Sequence, residues 1–260
     1  MSLSDPSFLQ QARLFAEQLA DAARPIALRY FRQALAVEHK ADHSPVTVAD
    51  RAIESELRRM LGESFPGHGI LGEEYGHTRG SEFTWILDPI DGTKSFISGH
   101  PLFGTLIALL HGAQPLLGLI DIPASGERWL GLAGSGSLFN AVACQTSACQ
   151  AIEVARIYTT SPDAFTAQEW KQYDALSRRA ALRRYGGDCY SYGQLASGYC
   201  DLVVEAGLQP YDFMALVPVV EGAGGRISDW RGEPLGLQSC GQVVAAASER
   251  LWRQALDALA

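Results

Sequence analysis

Apolar residues recur every three or four positions along the first thirty residues of the chain, which predicts an amphipathic helix. Asp5 and Pro6 supply an N-cap followed by proline at the first helical position. Pro25 should kink this helix near its end or stop it early, because proline cannot donate the backbone hydrogen bond of a helix interior. A second apolar stripe over residues 53–61 predicts another helix.

Short apolar runs then replace the helical spacing. The runs FGTLIALL, PLLGLIDI, RWLGLA and SLFNAVA are separated by turn-forming segments, which is typical of an antiparallel meander. From about residue 151 strand-like and helix-like segments alternate, including a single helix predicted over DFMALVPVVEGAGG. This alternation predicts a layered α/β architecture. We therefore expect an N-terminal α+β part, residues 1–150, and a C-terminal α/β part, residues 151–260, with a cleft between them.

The composition fits a compact globular protein, with 260 residues, 47% hydrophobic and 19% charged. A net charge of -8 argues against nucleic-acid or anionic-membrane partners, which favour a basic surface. The five cysteines are scattered without a C-x-x-C pair, so we expect free thiols. The N-terminus lacks the features of a signal peptide, and the longest apolar run is too short to span a bilayer. These features predict a cytoplasmic protein.

Acidic residues stand where predicted elements begin or end. Glu73 follows the strand-like GILG, Asp88 and Asp91 follow TWIL, and Asp212 opens the helix predicted after GLQPY. Acidic side chains at strand ends and helix starts can meet in one cleft, the usual ligand position of α/β folds. Oxygen ligands without a histidine or cysteine cluster favour Mg²⁺ or Mn²⁺ over zinc.

The segment DPIDGT also predicts a phosphate-binding turn beside this metal site. Pro89 should turn the chain sharply, bring Asp88 and Asp91 together and leave the Ile90 carbonyl available as another ligand. The amides of residues 92–94 would then open a helix or turn that attracts a phosphate group. A metal site beside an anion-binding turn is the apparatus of phosphoryl transfer.

Taken in order, GEE, WILDPIDGTKSF and YDFMALVPVVEGAGG resemble the inositol monophosphatase superfamily of Mg²⁺-dependent phosphatases over nearly the whole chain. The segments DPIDGTKSFISG, YGGDCYSYG and GLQPYD are most similar to the histidinol-phosphate phosphatase branch, and Lys94-Ser95 stands where inositol monophosphatases usually have Thr-Asn. The resemblance implies a five-layer α/β/α/β/α sandwich, two or three Mg²⁺ ions that Mn²⁺ can replace, and a homodimer.

The resemblance also implies roles for single residues. Thr93, hydrogen-bonded toward Glu73, would help to activate a water at the metal for attack on phosphorus. Asp50 matches the position that helps to hold a weaker third metal, but Thr47 and Asp50 also fit a helix capping box, and one residue can do both. The implied metal ligands are Glu73, Asp88, Asp91, Asp212 and the Ile90 carbonyl.

The implied phosphate and substrate contacts are Gly92, Thr93, Gly187, Asp188 and Glu205. Histidinol phosphate carries an ammonium and an imidazole, so its pocket should offer carboxylates. Glu205 does not distinguish the two branches, because the inositol branch also has a substrate-contacting glutamate at its position. Asp188 is therefore the candidate that better indicates the histidinol-phosphate branch. The alternative for Asp188 is a turn residue after two glycines.

The prediction is thus an enzyme that hydrolyses histidinol phosphate to histidinol in histidine biosynthesis, acting on a small phosphate ester. One alternative is an inositol-1-monophosphatase or a broad-specificity sugar or nucleotide phosphatase. Another is a non-catalytic regulatory or binding relative. We expect Arg178, Arg179, Arg183 and Arg184 to be solvated, with a dimer contact or substrate pocket as the next option. We assign no chemistry to His100.

Overall fold

The structure, a computed structural model, describes residues 6–33, 38–39 and 45–260. Its α-helices are α1 (Pro6–Tyr30), α2 (Val48–Ser64), α3 (Thr93–Ile97), α4 (Ala167–Ser177), α5 (Cys189–Ala196), α6 (Pro210–Phe213), α7 (Leu216–Gly222) and α8 (Glu249–Leu259). Its strands are β1 (Glu38–His39), β2 (Pro45–Val46), β3 (Gly69–Gly72), β4 (Gly76–Thr78), β5 (Phe83–Asp91), β6 (Gly104–His111), β7 (Gln114–Ile122), β8 (Glu127–Leu132), β9 (Gly136–Phe139), β10 (Val142–Cys144), β11 (Arg156–Thr159), β12 (Leu182–Tyr185), β13 (Leu202–Glu205), β14 (Arg226–Ser228) and β15 (Val243–Ala246).

The larger sheet has eight strands in the order β10-β9-β8-β7-β6-β5-β3-β4. Strands β6 to β10 form the predicted antiparallel meander, with the run SLFNAVA divided between β9 and β10. Strand β5 pairs antiparallel with β6 and in parallel with β3. The parallel pair places the ends of β3 and β5 at the same sheet edge. Glu73 and the aspartates of β5 therefore leave the sheet on one side.

The smaller sheet has five strands in the order β12-β11-β13-β15-β14. Strand β11 pairs in parallel with β12 and β13, whereas β15 is antiparallel to both its neighbours. Strand β13 ends at Glu205, and the loop after β12 carries Gly187 and Asp188. The predicted substrate residues thus lie at the ends of parallel strands.

The described residues form five layers around three hydrophobic cores, of which the middle one fills the spaces on both sides of the central helices. Helices α1 and α2 pack on one face of the larger sheet, α5 and α7 lie between the two sheets, and α4 and α8 cover the outer face of the smaller sheet. This confirms the α/β/α/β/α sandwich. Trp85 and Phe96 are buried in the core between the larger sheet and helices α1 and α2.

The first helix does not stop early at its proline. Helix α1 continues through Pro25 to Tyr30, and Ala23 and Ala27 on either side of the proline are fully buried. Burial of this apolar face offsets the one backbone hydrogen bond that proline cannot donate. Asp5, the predicted N-cap, lies outside the described residues.

The segment DPIDGT does not turn sharply at its proline. Strand β5 continues to Asp91, and its register against β6 shifts between Asp88 and Asp91. Proline lacks an amide proton, so a β-bulge accommodates Pro89 without a lost ladder bond. The chain turns one residue after the strand, at Gly92, whose φ of 81° favours glycine.

The helix predicted over DFMALVPVVEGAGG is two helices. The short α6 begins at Pro210, which suits the first helical position, and α7 begins at Leu216. Asp212 lies inside α6, where it accepts a hydrogen bond from the backbone N–H of Gln209 at 2.7 Å. The carboxylate that was predicted to open a long helix therefore caps a single turn.

Across the described ranges, no helix combines the length and the apolar character that crossing a membrane requires.

Candidate active site

Three aspartates from distant parts of the chain form one cluster. One carboxylate oxygen each from Asp88, Asp91 and Asp212 lies within 4.8 Å of the others. The end of β5 supplies the first two and α6 supplies the third. Asp88 is buried, while Asp91 and Asp212 are partly exposed. We call these three residues the acidic cluster.

Glu73 and Asp50 lie beside the acidic cluster. Glu73 follows β3, where its N–H donates to the Leu87 carbonyl at 3.2 Å, and its side chain is within hydrogen-bonding reach of Asp88. Asp50 accepts hydrogen bonds from both the backbone and the hydroxyl of Thr47, at 2.8 and 2.6 Å. The capping box predicted for α2 is therefore present. The charge of Glu73 still raises the pKa of Asp50, so the capping aspartate lies close to the predicted metal ligands.

The β-bulge in β5 fixes the backbone beside the acidic cluster. The Thr105 hydroxyl donates to the Pro89 carbonyl at 2.8 Å, and the Thr93 hydroxyl donates to the Ile90 carbonyl at 3.2 Å. The Ile90 carbonyl, the predicted backbone ligand, thus lies next to the hydroxyl of Thr93. The predicted hydrogen bond from Thr93 toward Glu73 stays a prediction.

The acidic cluster carries an electrostatic penalty. Burial raises the pKa of Asp88 well above its usual range, and the charges of Glu73, Asp91 and Asp212 raise it further. Burial also raises the pKa of Asp91, with Asp188 and Asp212 adding to the effect. For Asp212, burial raises the pKa to about 7. Each charged neighbour that raises these pKa values is another carboxylate, which is the setting that a bound cation relieves.

The residues of the acidic cluster fit a hard divalent cation. Asp88 Oδ1 is buried and has no hydrogen-bond partner within the part of the chain that the structure describes. A buried carboxylate oxygen without a donor is costly unless a cation meets it. An all-oxygen set of carboxylates is the donor chemistry of Mg²⁺ and Mn²⁺.

The start of α5, in the C-terminal part of the chain, contacts the acidic cluster. The N–H of Cys189 donates to Asp91 Oδ2 at 2.6 Å. The preceding residue, Asp188, has φ 46° and ψ -135°, a conformation that is unfavourable for any residue but glycine. Its Oδ2 accepts a hydrogen bond of 3.0 Å from the Ser95 hydroxyl on α3. Burial raises the pKa of Asp188, against the opposing effects of Ser95, His100 and Lys94.

Glu205 is buried behind the acidic cluster and is held by both its oxygens. Oε1 accepts from the backbone and the hydroxyl of Thr160, and Oε2 accepts from the Tyr192 hydroxyl at 2.8 Å. Burial raises the pKa of Glu205, and these hydrogen bonds oppose the rise. The fixed carboxylate lines a recess of about 90 Å³ that also reaches Asp91 and Asp212.

A wider cleft of about 630 Å³ joins this recess and opens to solvent. The residues that line it include Glu73, Thr93, Gly187, Asp188 and Asp212. The structure therefore brings together nearly all the site residues predicted from the sequence, with Glu205 in the recess and Asp50 beside Glu73.

Arg184 lines the cleft, which agrees with the second option for this arginine rather than with a purely solvated position. Other residues of the site were not predicted, and one of them, His100, lies near enough to Asp188 to influence its pKa. Thr160, which holds Glu205, and Ser95, which holds Asp188, were also missed. The hydrogen bonds of Thr160 and Ser95 span 45 and 93 residues, so no local sequence pattern announces them.

Comparisons with known proteins agree with this fold. The family model of the inositol monophosphatase family matches residues 9–260. The chloroplast bifunctional phosphatase IMPL2 of Arabidopsis thaliana is 44% identical over 251 residues, covering 93% of this chain and 72% of the relative. A histidinol-phosphatase of Chlorobaculum parvum is 36% identical, covering 93% of this chain and 94% of the relative. A solved inositol monophosphatase from Zymomonas mobilis superposes with a TM-score of 0.89 at 44% identity, covering 96% of this chain and 98% of its own.

The layered fold and the acidic cleft define a phosphatase of the sugar-phosphatase type. The chain belongs to the inositol monophosphatase family, whose members hydrolyse phosphoric monoesters.

Proposed function

We propose that this protein hydrolyses histidinol phosphate to histidinol and inorganic phosphate with Mg²⁺ as its metal. The observation that carries the substrate is the position of Asp188 against the phosphate turn. A Cβ atom added to Gly92 would come within 2.8 Å of Asp188 Oδ2, so the carboxylate touches the backbone where phosphate is expected. Such a carboxylate suits a substrate with a positive charge close to its phosphate.

Histidinol phosphate has this charge distribution. Its ammonium is on the carbon next to the CH₂–O–P group, and its imidazole can accept a proton as a second cation. Asp188 at the phosphate turn and Glu205 in the adjoining recess offer two carboxylates to these groups. A polyol phosphate such as inositol 1-phosphate gains no ion pair from them. The histidinol-phosphatase of Chlorobaculum parvum, one of the relatives, supports the same substrate.

The residues that would hold Mg²⁺ are Glu73, Asp88, Asp91, Asp212 and the Ile90 carbonyl. When bound, the metal supplies Lewis-acid stabilisation of the developing phosphoryl charge and a lowered pKa for its water. Without it, the acidic cluster repels a phosphate dianion.

The chain's own groups then place the ester for attack. Gly92, Thr93 and Lys94, at the start of α3, line the cleft, and their backbone amides would donate to phosphate oxygens. The Thr93 hydroxyl, held at the Ile90 carbonyl, is positioned beside the acidic cluster to orient the attacking water. Because we assign the attack to water rather than to a side chain, the proposal includes no covalent phospho-enzyme.

A second candidate substrate is inositol 1-phosphate. The solved Zymomonas mobilis relative, described as an inositol monophosphatase, is 44% identical to this chain. Both candidates use the same chemistry and differ in how much they need Asp188.

Steady-state kinetics with both esters in Mg²⁺ tests the choice. We expect kcat/KM for histidinol phosphate to exceed that for inositol 1-phosphate by at least about tenfold, the effect of one charge-assisted hydrogen bond. The Asp188→Asn variant should lose most of this preference. An equal or reversed preference in the unaltered protein would reject histidinol phosphate as the substrate.

The homodimer and the cytoplasmic location stay predictions. Gel filtration with light scattering measures the first, and fractionation of the source cells measures the second.

A further inference from the structure

We propose that Ser95 is a positioning residue that aims the Asp188 carboxylate at the cationic group of the substrate. The inference rests on the proposed function, since it concerns how the same site distinguishes a cationic ester from a neutral one. Ser95 is on α3, directly after the turn expected to bind phosphate, and its hydroxyl donates to Asp188 Oδ2 at 3.0 Å. The hydrogen bond joins two parts of the chain that are 93 residues apart.

The hydrogen bond from Ser95 makes the two carboxylate oxygens of Asp188 different from each other. Oδ2 is occupied by Ser95, whereas Oδ1 receives no hydrogen bond from residues 7–33 or 47–260, whose side chains the structure describes. A carboxylate with one oxygen fixed presents the other in a defined direction. Because Asp188 lines both the cleft and the recess, Oδ1 is the acceptor offered to a ligand there.

The backbone on both sides of the contact is adapted to this position. Gly92 has φ 81° and leaves the space that Asp188 Oδ2 occupies; a Cβ there would come within 2.8 Å. Asp188 itself adopts φ 46° and ψ -135°, which is strained for a residue with a side chain. A backbone strain that places a partly buried carboxylate at a ligand cleft is typical of a functional position.

Glu205, the other candidate for the substrate's positive groups, is less suited to this selection. Both its oxygens already accept hydrogen bonds, from Thr160 and from Tyr192. Asp188 is therefore, of the two, the carboxylate with an oxygen that accepts no hydrogen bond from the described side chains and backbone.

Ser95 also keeps Asp188 away from competing cations. Lys94 and His100 lie close enough to interact with the Asp188 carboxylate, and both line the cleft. Without the Ser95 hydroxyl, the Asp188 carboxylate can rotate toward Lys94 or His100 and no longer points at the positive group of the substrate. The expected defect is thus weaker recognition of a positive charge rather than loss of phosphate hydrolysis.

The test compares two esters that differ in one group. Histidinol phosphate and 3-(imidazol-4-yl)propyl phosphate share the chain, the ring and the phosphate, but only the first has an ammonium. In Ser95→Ala, the ratio of their kcat/KM values should fall about fivefold, mainly through a higher KM for histidinol phosphate, as expected for one lost charge-assisted hydrogen bond. In Ser95→Thr, which keeps the hydroxyl, the ratio should stay within about twofold.

A double-mutant cycle with Asp188→Asn separates positioning from a general structural effect. If Ser95 acts through Asp188, adding Ser95→Ala to Asp188→Asn should leave the ratio where Asp188→Asn alone puts it. Equal losses for both esters, an undiminished effect of Ser95→Ala in the Asp188→Asn background, or an equal loss in Ser95→Thr would overturn the proposal. An unaltered protein that prefers neither ester would instead reject the ammonium-recognition part of the proposed function, so the two failures are distinguishable.

Discussion

Asp201 and Asp88 are both buried aspartates, but their surroundings are opposite. Asp201 accepts two hydrogen bonds of 2.8 Å from the guanidinium of Arg156 and others from the Arg156 backbone and Ser147. Burial raises the pKa of Asp201, but these hydrogen bonds outweigh it and hold the pKa below its usual value. The chain thus supplies the cation and the donors that its own buried carboxylate needs.

Asp88 meets carboxylates instead of arginine. Its neighbours Glu73, Asp91 and Asp212 raise a pKa that burial has already raised, and Oδ1 has no donor among the described residues. Asp121, another fully buried aspartate, follows the pattern of Asp201, since Arg24 and Arg128 both pair with it. The difference separates carboxylates that arginines of the chain itself neutralise from a cluster whose described neighbours supply no such charge.

The largest effect should come from a change within the acidic cluster. Asp91→Asn should lower kcat by at least about a thousandfold, since a bound metal contributes several kcal/mol of transition-state stabilisation. Circular dichroism should show the same fold as that of the unaltered protein. Asp257→Asn, an exposed aspartate on α8, is the matched control and should keep its activity. An Asp91→Asn protein with normal turnover would show that the metal centre is misplaced.

A change in the arginine-paired aspartate should act on stability instead. Asp201→Asn should lower the free energy of unfolding at pH 7 by about 2 kcal/mol, below the range for fully buried pairs because Arg156 is partly exposed. Kinetic constants per folded molecule should change little. Urea titrations measure the first quantity and assays below the transition measure the second.

The same aspartate predicts a pH dependence. Because the folded pKa of Asp201 is lowered, its stabilisation is present above the unfolded pKa of about 3.9 and is lost as the pH falls through the folded pKa. The difference in unfolding free energy between the unaltered protein and Asp201→Asn should therefore shrink in acid. A difference that stays constant from pH 7 to pH 3 would rule out ionisation of Asp201 as its source.

The acidic cluster should show the reverse behaviour when metal is removed. In EDTA at pH 8, Asp88→Asn should be more stable than the unaltered protein by about 1–2 kcal/mol, because it lacks one uncompensated buried charge. A raised folded pKa makes ionisation costly as the pH rises from about 4, and for Asp212 this cost is complete above about 7. Saturating Mg²⁺ should reverse the order of stability, and an unchanged order would contradict a metal role for Asp88.

Asp188 is an intermediate case, with one hydroxyl donor and a strained backbone. Asp188→Gly and Asp188→Ala both remove the carboxylate, but only glycine relieves the strain at φ 46°. The glycine variant should be more stable than the alanine variant by about 1 kcal/mol. Equal stabilities in urea titrations would mean that the backbone at this position is not strained in solution.

The sequence made much of this site predictable because its acids mark the ends of elements. Glu73 after GILG and the two aspartates of DPIDGT are recognisable from local patterns, and the meander follows from apolar runs between turns. The five layers followed from the family resemblance, and α/β alternation alone predicted only layering.

Other features depend on tertiary contacts or fine backbone geometry. The β-bulge at Pro89 depends on β6 as its partner, and the break between α6 and α7 lies within one apolar stretch. Helix α1 runs through Pro25 because of what its apolar face packs against. The hydrogen bonds of Ser95 and Thr160 join residues far apart in the sequence, so they can be identified only in the folded structure.

The most direct test of the metal centre is anomalous diffraction from a crystal of the protein grown with Mn²⁺. We predict a strong anomalous peak within ligand distance of Asp88, Asp91 and Asp212, and its loss in Asp91→Asn crystals grown the same way. Absence of a peak at these carboxylates in the unaltered protein, with Mn²⁺ at millimolar concentration, would contradict the assignment of the acidic cluster as a metal site.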